Sequence, residues 1–200
     1  MMKVMPEEVL YMGYTLSLHK LTPETLDLII AIQKDIYSGV ANCDGSINFI
    51  DSLNDDTINY YIVYGDSIPV GMAGMYYYKD DPDNAWLGWF GIMSRYRRQQ
   101  VGTEALHVYE SLCRTKKFKY SRVLLDNYIE SRDKYVLEFF ISNGYIFEEY
   151  HNDYDPASFI VPTLILSKSL DEDEDVPLWD NKYINLTEQI EKQRDKDGDF

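Results

Sequence analysis

Apolar residues recur at two different spacings along this chain, and the switches between them mark out its elements. Thr22, followed by Glu24 and then by Leu26, Ile29, Ile30 and Gln33, reads as a capped amphipathic helix running to about Tyr37, because those positions return to one side every three to four residues. A short second helical stretch is expected over 47–55. The segment NYYIVYGDSIPVGMAGMYYY then turns β-rich in two runs separated by Gly65, Asp66 and Pro69, which is hairpin chemistry, so strands are expected near 59–64 and 69–78. Beyond the loop KDDPDN, AWLGWFGI (85–92) is a third β-rich run, and over 103–114 Ala105, Leu106, Tyr109, Leu112 and Cys113 share one helical face. RVLLDNYI (122–129) reads as a strand, DKYVLEFFISN (133–143) as a helix stopped by Gly144, and YIFEEY and FIVPTLILS as two closing strands. One helix and three antiparallel strands, the third of them opening β-α-β-α-β-β, make an α/β fold, an α+β sandwich.

Charge and composition narrow the setting. Two hundred residues, 45% of them apolar, bury a core without metal or disulfide staples. The two cysteines, Cys43 and Cys113, form neither a disulfide framework nor a metal-ligand cluster, and such sparse usage suits a reducing, cytoplasmic setting. MMKVMPEEVL lacks the apolar centre of a signal peptide, and LDLIIAI (26–32) is too short to span a bilayer, so no membrane partner is expected. A formal charge of −15 makes whole-surface attraction to nucleic acid or anionic lipid unfavourable. Eleven acids against four bases fall within 171–200, which divides the chain into a domain over 1–170 and an acidic tail. Within that tail NLTEQIEKQR (185–194) places Leu186 and Ile190 one turn apart, as a short docked helix would.

Against this acidity stands a basic island. Arg95, Arg97, Arg98, Arg114, Lys116, Lys117, Lys119 and Arg122 are accompanied only by Glu104 and Glu110. The first three arginines sit between a strand ending near Ile92 and a helix beginning near Thr103. Such a turn presents unpaired main-chain N–H groups and the positive end of a helix dipole, a cradle for an anion. Gly102 lets the backbone approach a phosphate with no side chain in the way. The bland alternative is a set of solvated loop arginines and a basic cluster complementing the C-terminal end of the helix.

LGWFGIMSRYRRQQVGTEALHVY (87–109) resembles the cofactor-binding motif of the GNAT superfamily of N-acetyltransferases, in which a strand leads into Arg or Gln, two residues, Gly, one residue, then Gly or Ala. Arg97, Arg98, Gln99, Gln100, Val101 and Gly102 take those places, with Thr103 following; Gln100 stands where the first family glycine would be. FFISNGYIFEEY (139–150) is similar to the family's later helix end, and the likeness runs over roughly 15–168. It implies a mixed, splayed GNAT-type sheet with helices on both faces, and acetyl-CoA held between the strand ending at Ile92 and the strand 122–129. Met93 and Ser94 would line the bound cofactor, and Arg98 to Thr103 would hold its diphosphate on their N–H groups. The Ile92 N–H would polarise the thioester carbonyl.

The implied reaction is direct attack of a primary amine on the thioester. An amine with a pKa near 10.4 arrives protonated, so a base is needed. The acid many relatives carry on the strand before the cofactor turn is absent from 85–92, which leaves Asp126 and Glu130 as its substitutes. The tyrosine that commonly protonates the leaving thiolate falls on Phe140, so Tyr128 or Tyr145 would stand in, and water is the remaining proton source. The helix-start Asn used toward pantetheine falls on Asp133. The acidic surface favours a cationic acceptor, a small amine or a lysine or N-terminal amine of a peptide, and a second copy of the chain is the candidate protein partner. The alternative function is a binding module that keeps the CoA cradle and has lost turnover, an acyl-CoA sensor. No metal is expected: His19, His107 and His151 are scattered, and DKDGDF (195–200) has its glycine in the wrong place for a calcium loop. Asn185 opens a sequon of no consequence inside a cell, and Gly71 to Gly74 lack the Lys-Ser/Thr of a phosphate loop. Tyr76 to Tyr78, Trp86 and Trp89 read as sheet faces and core.

Overall fold

A computed structural model describes residues 8–11, 14–38, 44–126, 131–150, 163–171 and 174–179, with backbone alone at 8–11, 14, 126, 131–134, 150 and 163. The chain divides into two compact units, Met1–Ser121 and Arg122–Phe200.

The first unit is built on an antiparallel meander. Strands β1 (Glu8–Tyr11), β2 (Tyr14–Lys20), β3 (Ile58–Gly65), β4 (Ile68–Tyr78) and β5 (Asp81–Ile92) each pair with the next. Helices α1 (Leu26–Ile36) and α2 (Ser46–Ser52) lie between β2 and β3 in the chain, and α3 (Val101–Thr115) follows β5. The helix expected from Thr22 begins as a 3-10 turn over Pro23–Thr25, where Thr22 N–H donates to Thr25 Oγ1 at 3.0 Å. One core cluster joins Ile29, Ile32 and Ile36 of α1 and Phe49 of α2 to Tyr60, Ile62 and Met72 of the sheet. On the opposite face α3 packs against β1, β2 and β5, with Ala105, Leu106, Val108, Tyr109 and Cys113 buried. Helices therefore cover both faces of this part of the sheet.

The sequence pattern predicts no strand before α1, yet β1 and β2 precede it; the alternation of Leu16 and Leu18, both buried, carries that signal. KDDPDN was expected as a loop, but β5 starts at Asp81, opposite Tyr78, and the turn is shorter. Asp81 is drawn into the sheet because its carboxylate accepts a 2.7 Å hydrogen bond from Asn84 Nδ2 in a buried setting. The hairpin expected around Gly65 and Asp66 is present, with Asp66 at φ +55°.

In the second unit, β6 (Tyr120–Asp126) runs in from the end of the first, followed by α4 (Ser131–Ser142), β7 (Ile146–Tyr150) and β8 (Thr163–Ser169), and β7 and β8 pair antiparallel. Gly144 ends α4 at φ +86°, with Gly144 N–H donating to Ile141 O and Tyr145 N–H to Phe140 O, the two reversed bonds of a Schellman cap. The expected strand 122–129 and closing strand from 159 reach partly outside the described residues, as do the tail helix over 185–194 and the DKDGDF end. Among the described residues no helix is long and apolar enough to cross a membrane.

Arg122, counted in the basic island, is buried. Its Nη1 donates to Ser167 Oγ at 2.7 Å, its Nη2 donates to Pro177 O at 3.1 Å, and its guanidinium lies 5.1 Å from the Trp179 ring. Trp179, 2% exposed, donates its main-chain N–H to Glu148 Oε1 at 2.7 Å. Packing thus continues past 170, because a buried guanidinium needs acceptors and this segment supplies one. Trp179→Ala should lower the unfolding free energy of the full chain by about 3 kcal/mol in urea denaturation, and a change under about 1 kcal/mol would show that the segment merely rests on the surface.

Candidate active site

The expected strand, turn and helix are β5, the residues 93–100 and α3, and their geometry follows from one irregularity. From Met72 to Gly74 the β4 chain advances two residues while β5 advances three, from Gly91 back to Gly88. The extra residue is a bulge at Trp89, whose φ is +45°. Its ring stands edge-on to Tyr37, with centroids 5.2 Å apart. The next residues return to register, Gly91 opposite Met72 and Ile92 opposite Gly71. A Cβ at Gly91 would meet the Ile36 side chain at 2.5 Å, so glycine there is what lets α1 close on the strand.

Directions alternate along a strand. Met93 N–H donates back to Val70 O at 2.9 Å, so the Ile92 and Gly71 pair is not hydrogen-bonded and the N–H and C=O of Ile92 both point away from β4. Ile92 itself is buried. Its carbonyl accepts from Arg97 Nε at 2.9 Å. The turn then tightens: Tyr96 N–H donates to Met93 O, Gln99 Nε2 to Arg95 O at 3.1 Å, and Ser94 N–H to Asp35 Oδ1 at 2.8 Å. Arg95 stacks over the Tyr96 ring at 4.7 Å.

Arg98 and Gln100 adopt φ of +59° and +63°, the left-handed region that favours glycine. Gln100 is the residue that replaces the first glycine of the expected motif, so here a residue with a side chain takes the left-handed conformation that glycine favours. Gln100 is also the N-cap of α3, and Glu104 N–H makes the first intrahelical bond to Gln100 O at 3.1 Å. The N–H groups of Val101, Gly102 and Thr103 precede that bond and have no partner inside the helix. They sit at the positive end of a 15-residue helix, beside exposed Arg95 and Arg98. The helix starts two residues earlier than expected because Gln100, in place of Gly102, makes the break.

Contacts to the end of α1, distant in the chain, hold this turn, and sequence spacing gave no sign of them. Arg97 Nη2 donates to Ile36 O at 2.7 Å and Tyr37 Oη to Phe90 O at 3.1 Å, so Asp35, Ile36 and Tyr37 at the end of α1 all grip β5 or the turn. The basic island is divided. Arg114, Lys116 and Lys117 are at the other end of α3, about 20 Å from the turn by helix rise, and Lys119 pairs with Asp83 at 3.0 Å.

Of the expected proton-transfer groups, Tyr128 and Glu130 lie outside the described residues and Asp126 is placed by backbone only, at the end of β6, as is Asp133, expected toward pantetheine, in the first turn of α4. In the second unit Phe140 is buried against Phe139 and Tyr145, with ring centroids 5.2 Å apart in each pair. It has no proton to give. Burial pushes the Cys113 thiol up to about 12, which leaves it protonated at neutral pH and unfit as an acyl-carrying nucleophile. Burial likewise pushes Tyr60 up to about 12. Among the described residues no three His, Cys, Asp or Glu side chains converge to hold a metal; His19 is exposed and contacts Ser17 and Tyr64, and His107 is exposed on α3.

With this geometry in view, residues 26–145 match the family model described as the Acetyltransferase (GNAT) family. A comparison with curated proteins finds no match. Among solved structures, the chain is similar to a Desulfovibrio desulfuricans protein described as an acetyltransferase of the GNAT family, with a TM-score of 0.64 at 10% identity over 78% of this chain and 99% of that one. It is similar to an aminoglycoside 6'-N-acetyltransferase complexed with coenzyme A, with a TM-score of 0.59 at 15% identity over 79% and 99%. It is also similar to the ribosomal-protein-S18-alanine N-acetyltransferase of Escherichia coli, with a TM-score of 0.59 at 13% identity over 80% and 99%. At these identities the likeness shows the fold, the mixed α/β sheet with helices that the sequence led one to expect.

Gln100→Gly should relieve the left-handed strain by about 1 kcal/mol, less the entropy that glycine restores to the unfolded chain, and so raise the urea midpoint slightly. A lowered midpoint would show that the Gln100 side chain stabilises the turn by more than its backbone strain costs.

Proposed function

The chain belongs to the GNAT acetyltransferase family, and we propose that it moves the acetyl group of acetyl-CoA to a primary amine by direct attack. The observation that carries this is the start of α3, where the amides of Val101, Gly102 and Thr103 have no intrahelical partner and exposed Arg98 stands next to them. A diphosphate supplies the acceptors that this arrangement lacks. In an acidic chain the affinity for so negative a ligand has to come from such a local device.

The amine nitrogen attacks the thioester carbon, the new C–N bond forms as the C–S bond breaks, and the oxyanion in between needs a donor. Ile92 N–H is proposed for that role, since it points away from β4, and Met93 and Ser94 line the cofactor's path into the turn. Asp126 and Glu130 are proposed as the groups that take the amine proton, through water where distance requires it. With a hydrocarbon ring at Phe140, the thiolate is protonated by water or by Tyr128. Asp133 is assigned to the pantetheine arm. The acceptor is proposed to be cationic, a small amine or a lysine or N-terminal amine of a peptide, on the strength of the acidic surface. Neighbouring folds include enzymes named for an aminoglycoside and for a ribosomal protein, which spans both classes. A cytoplasmic location and a homodimer complete the proposal.

Thiol release from acetyl-CoA across a panel of polyamines, amino sugars and peptides tests this reaction. Release that depends on the amine is expected, whereas CoA binding without turnover of any amine would favour the acyl-CoA sensor. Arg98→Glu should weaken CoA binding about tenfold by calorimetry, the effect of replacing a favourable charge contact by a repulsive one; unchanged affinity would remove the turn from the site.

A further inference from the structure

Arg97 opens the sequence motif and invites assignment to the diphosphate, yet its guanidinium is already engaged. Nε holds the Ile92 carbonyl at 2.9 Å and Nη2 the Ile36 carbonyl at 2.7 Å. Each acceptor ends an element. Ile36 is the last residue of α1, whose carbonyl has no later helical amide to meet, and Ile92 is the last residue of β5. The planar fork of arginine suits two acceptors at once.

The consequence lies in the peptide groups around Ile92. The peptide joining Ile92 to Met93 is held from both sides, its N–H on Val70 O at 2.9 Å and its carbonyl on Arg97. Two peptides further back, the carbonyl of Phe90 is held by the Tyr37 hydroxyl at 3.1 Å. Between these tethered groups lies the peptide that carries the Ile92 N–H. Its orientation is therefore fixed by two side chains that reach across from the end of α1 and from the turn, and the Trp89 bulge just before it makes such fixing necessary.

The geometry points to Arg97 as a positioning residue for acyl transfer, one that aims the Ile92 N–H by pinning the Ile92 carbonyl to the end of α1, with its Nε and Nη2 spent on main-chain carbonyls and not on the diphosphate. This rests on the acyl-transfer function proposed above. Lost aim at a donor of this kind lowers turnover, while a lost phosphate contact lowers affinity for donors that carry a phosphate.

Two acetyl donors separate these effects: acetyl-CoA, and S-acetylpantetheine, which has the same thioester and no diphosphate. Arg97→Gln is assayed with both, at a temperature where circular dichroism shows it folded. The milder Arg97→Lys keeps the charge and the stem but not the fork, and serves if the first variant melts. The expected result is a fall in kcat on the order of tenfold to a hundredfold, by the same factor with either donor and with little change in KM for acetyl-CoA. A loss confined to acetyl-CoA, a rise in its KM at constant kcat, or no loss with either donor overturns the assignment while leaving the reaction in place. A wild-type protein that uses neither donor with any amine overturns the reaction and this assignment together.

Discussion

A helix that begins in the open leaves three amides pointing forward with nothing in the helix to receive them, and the first unit of this protein is arranged around one such beginning. The N-terminal amides of α3 are presented only because the backbone reverses twice, at Arg98 and Gln100, in a conformation that costs a side-chain-bearing residue about 1–2 kcal/mol each time. Such a turn persists when its surroundings over-determine it. Here they do so through Ser94 N–H on Asp35, Arg97 on Ile36 and Ile92, and Gln99 on the Arg95 carbonyl. The seating of Ile36 on Gly91 adds an apolar clamp.

That dependence links the core to the chemistry. α1 is fixed by its buried face, Ile29, Ile32 and Ile36, against Ile62 and Met72 of the sheet. Because the residues that end α1 are also those that hold β5 and the turn, the packing of one hydrophobic stripe sets where the Ile92 N–H and the first amides of α3 stand relative to each other. Charge then acts locally. Arg95 is stacked on Tyr96, and Arg97, though exposed, has its Nε and Nη2 on main-chain carbonyls, which leaves Arg98 as the exposed arginine whose guanidinium these contacts do not occupy.

The local part of this was legible in the sequence. The strand, the turn and the helix follow from composition and period, and the arginines and Gly102 mark the turn. What was not legible lies far apart in the chain: Ser94 meets Asp35 across 59 residues, Tyr37 meets Phe90 across 53, and Arg97 meets Ile36 across 61. No spacing rule reaches that far, so the bonds of Arg97 to the Ile36 and Ile92 carbonyls are invisible in the sequence. The same limit applied to Arg122, a base by composition that proves to be a buried hub for Ser167 and Pro177. β1 and β2 escaped for a different reason, since a short alternating run such as Leu16 to Leu18 is weak until the sheet it joins is seen.

The proposed function requires the amides at the start of α3 to meet a diphosphate, and amide NMR observes those groups directly. In a titration of the labelled protein with CoA, the N–H resonances of Val101, Gly102 and Thr103 should move downfield and exchange more slowly with solvent, as amides that gain an anionic acceptor do. Resonances that stay in place while CoA is demonstrably bound would put the ligand elsewhere and contradict it.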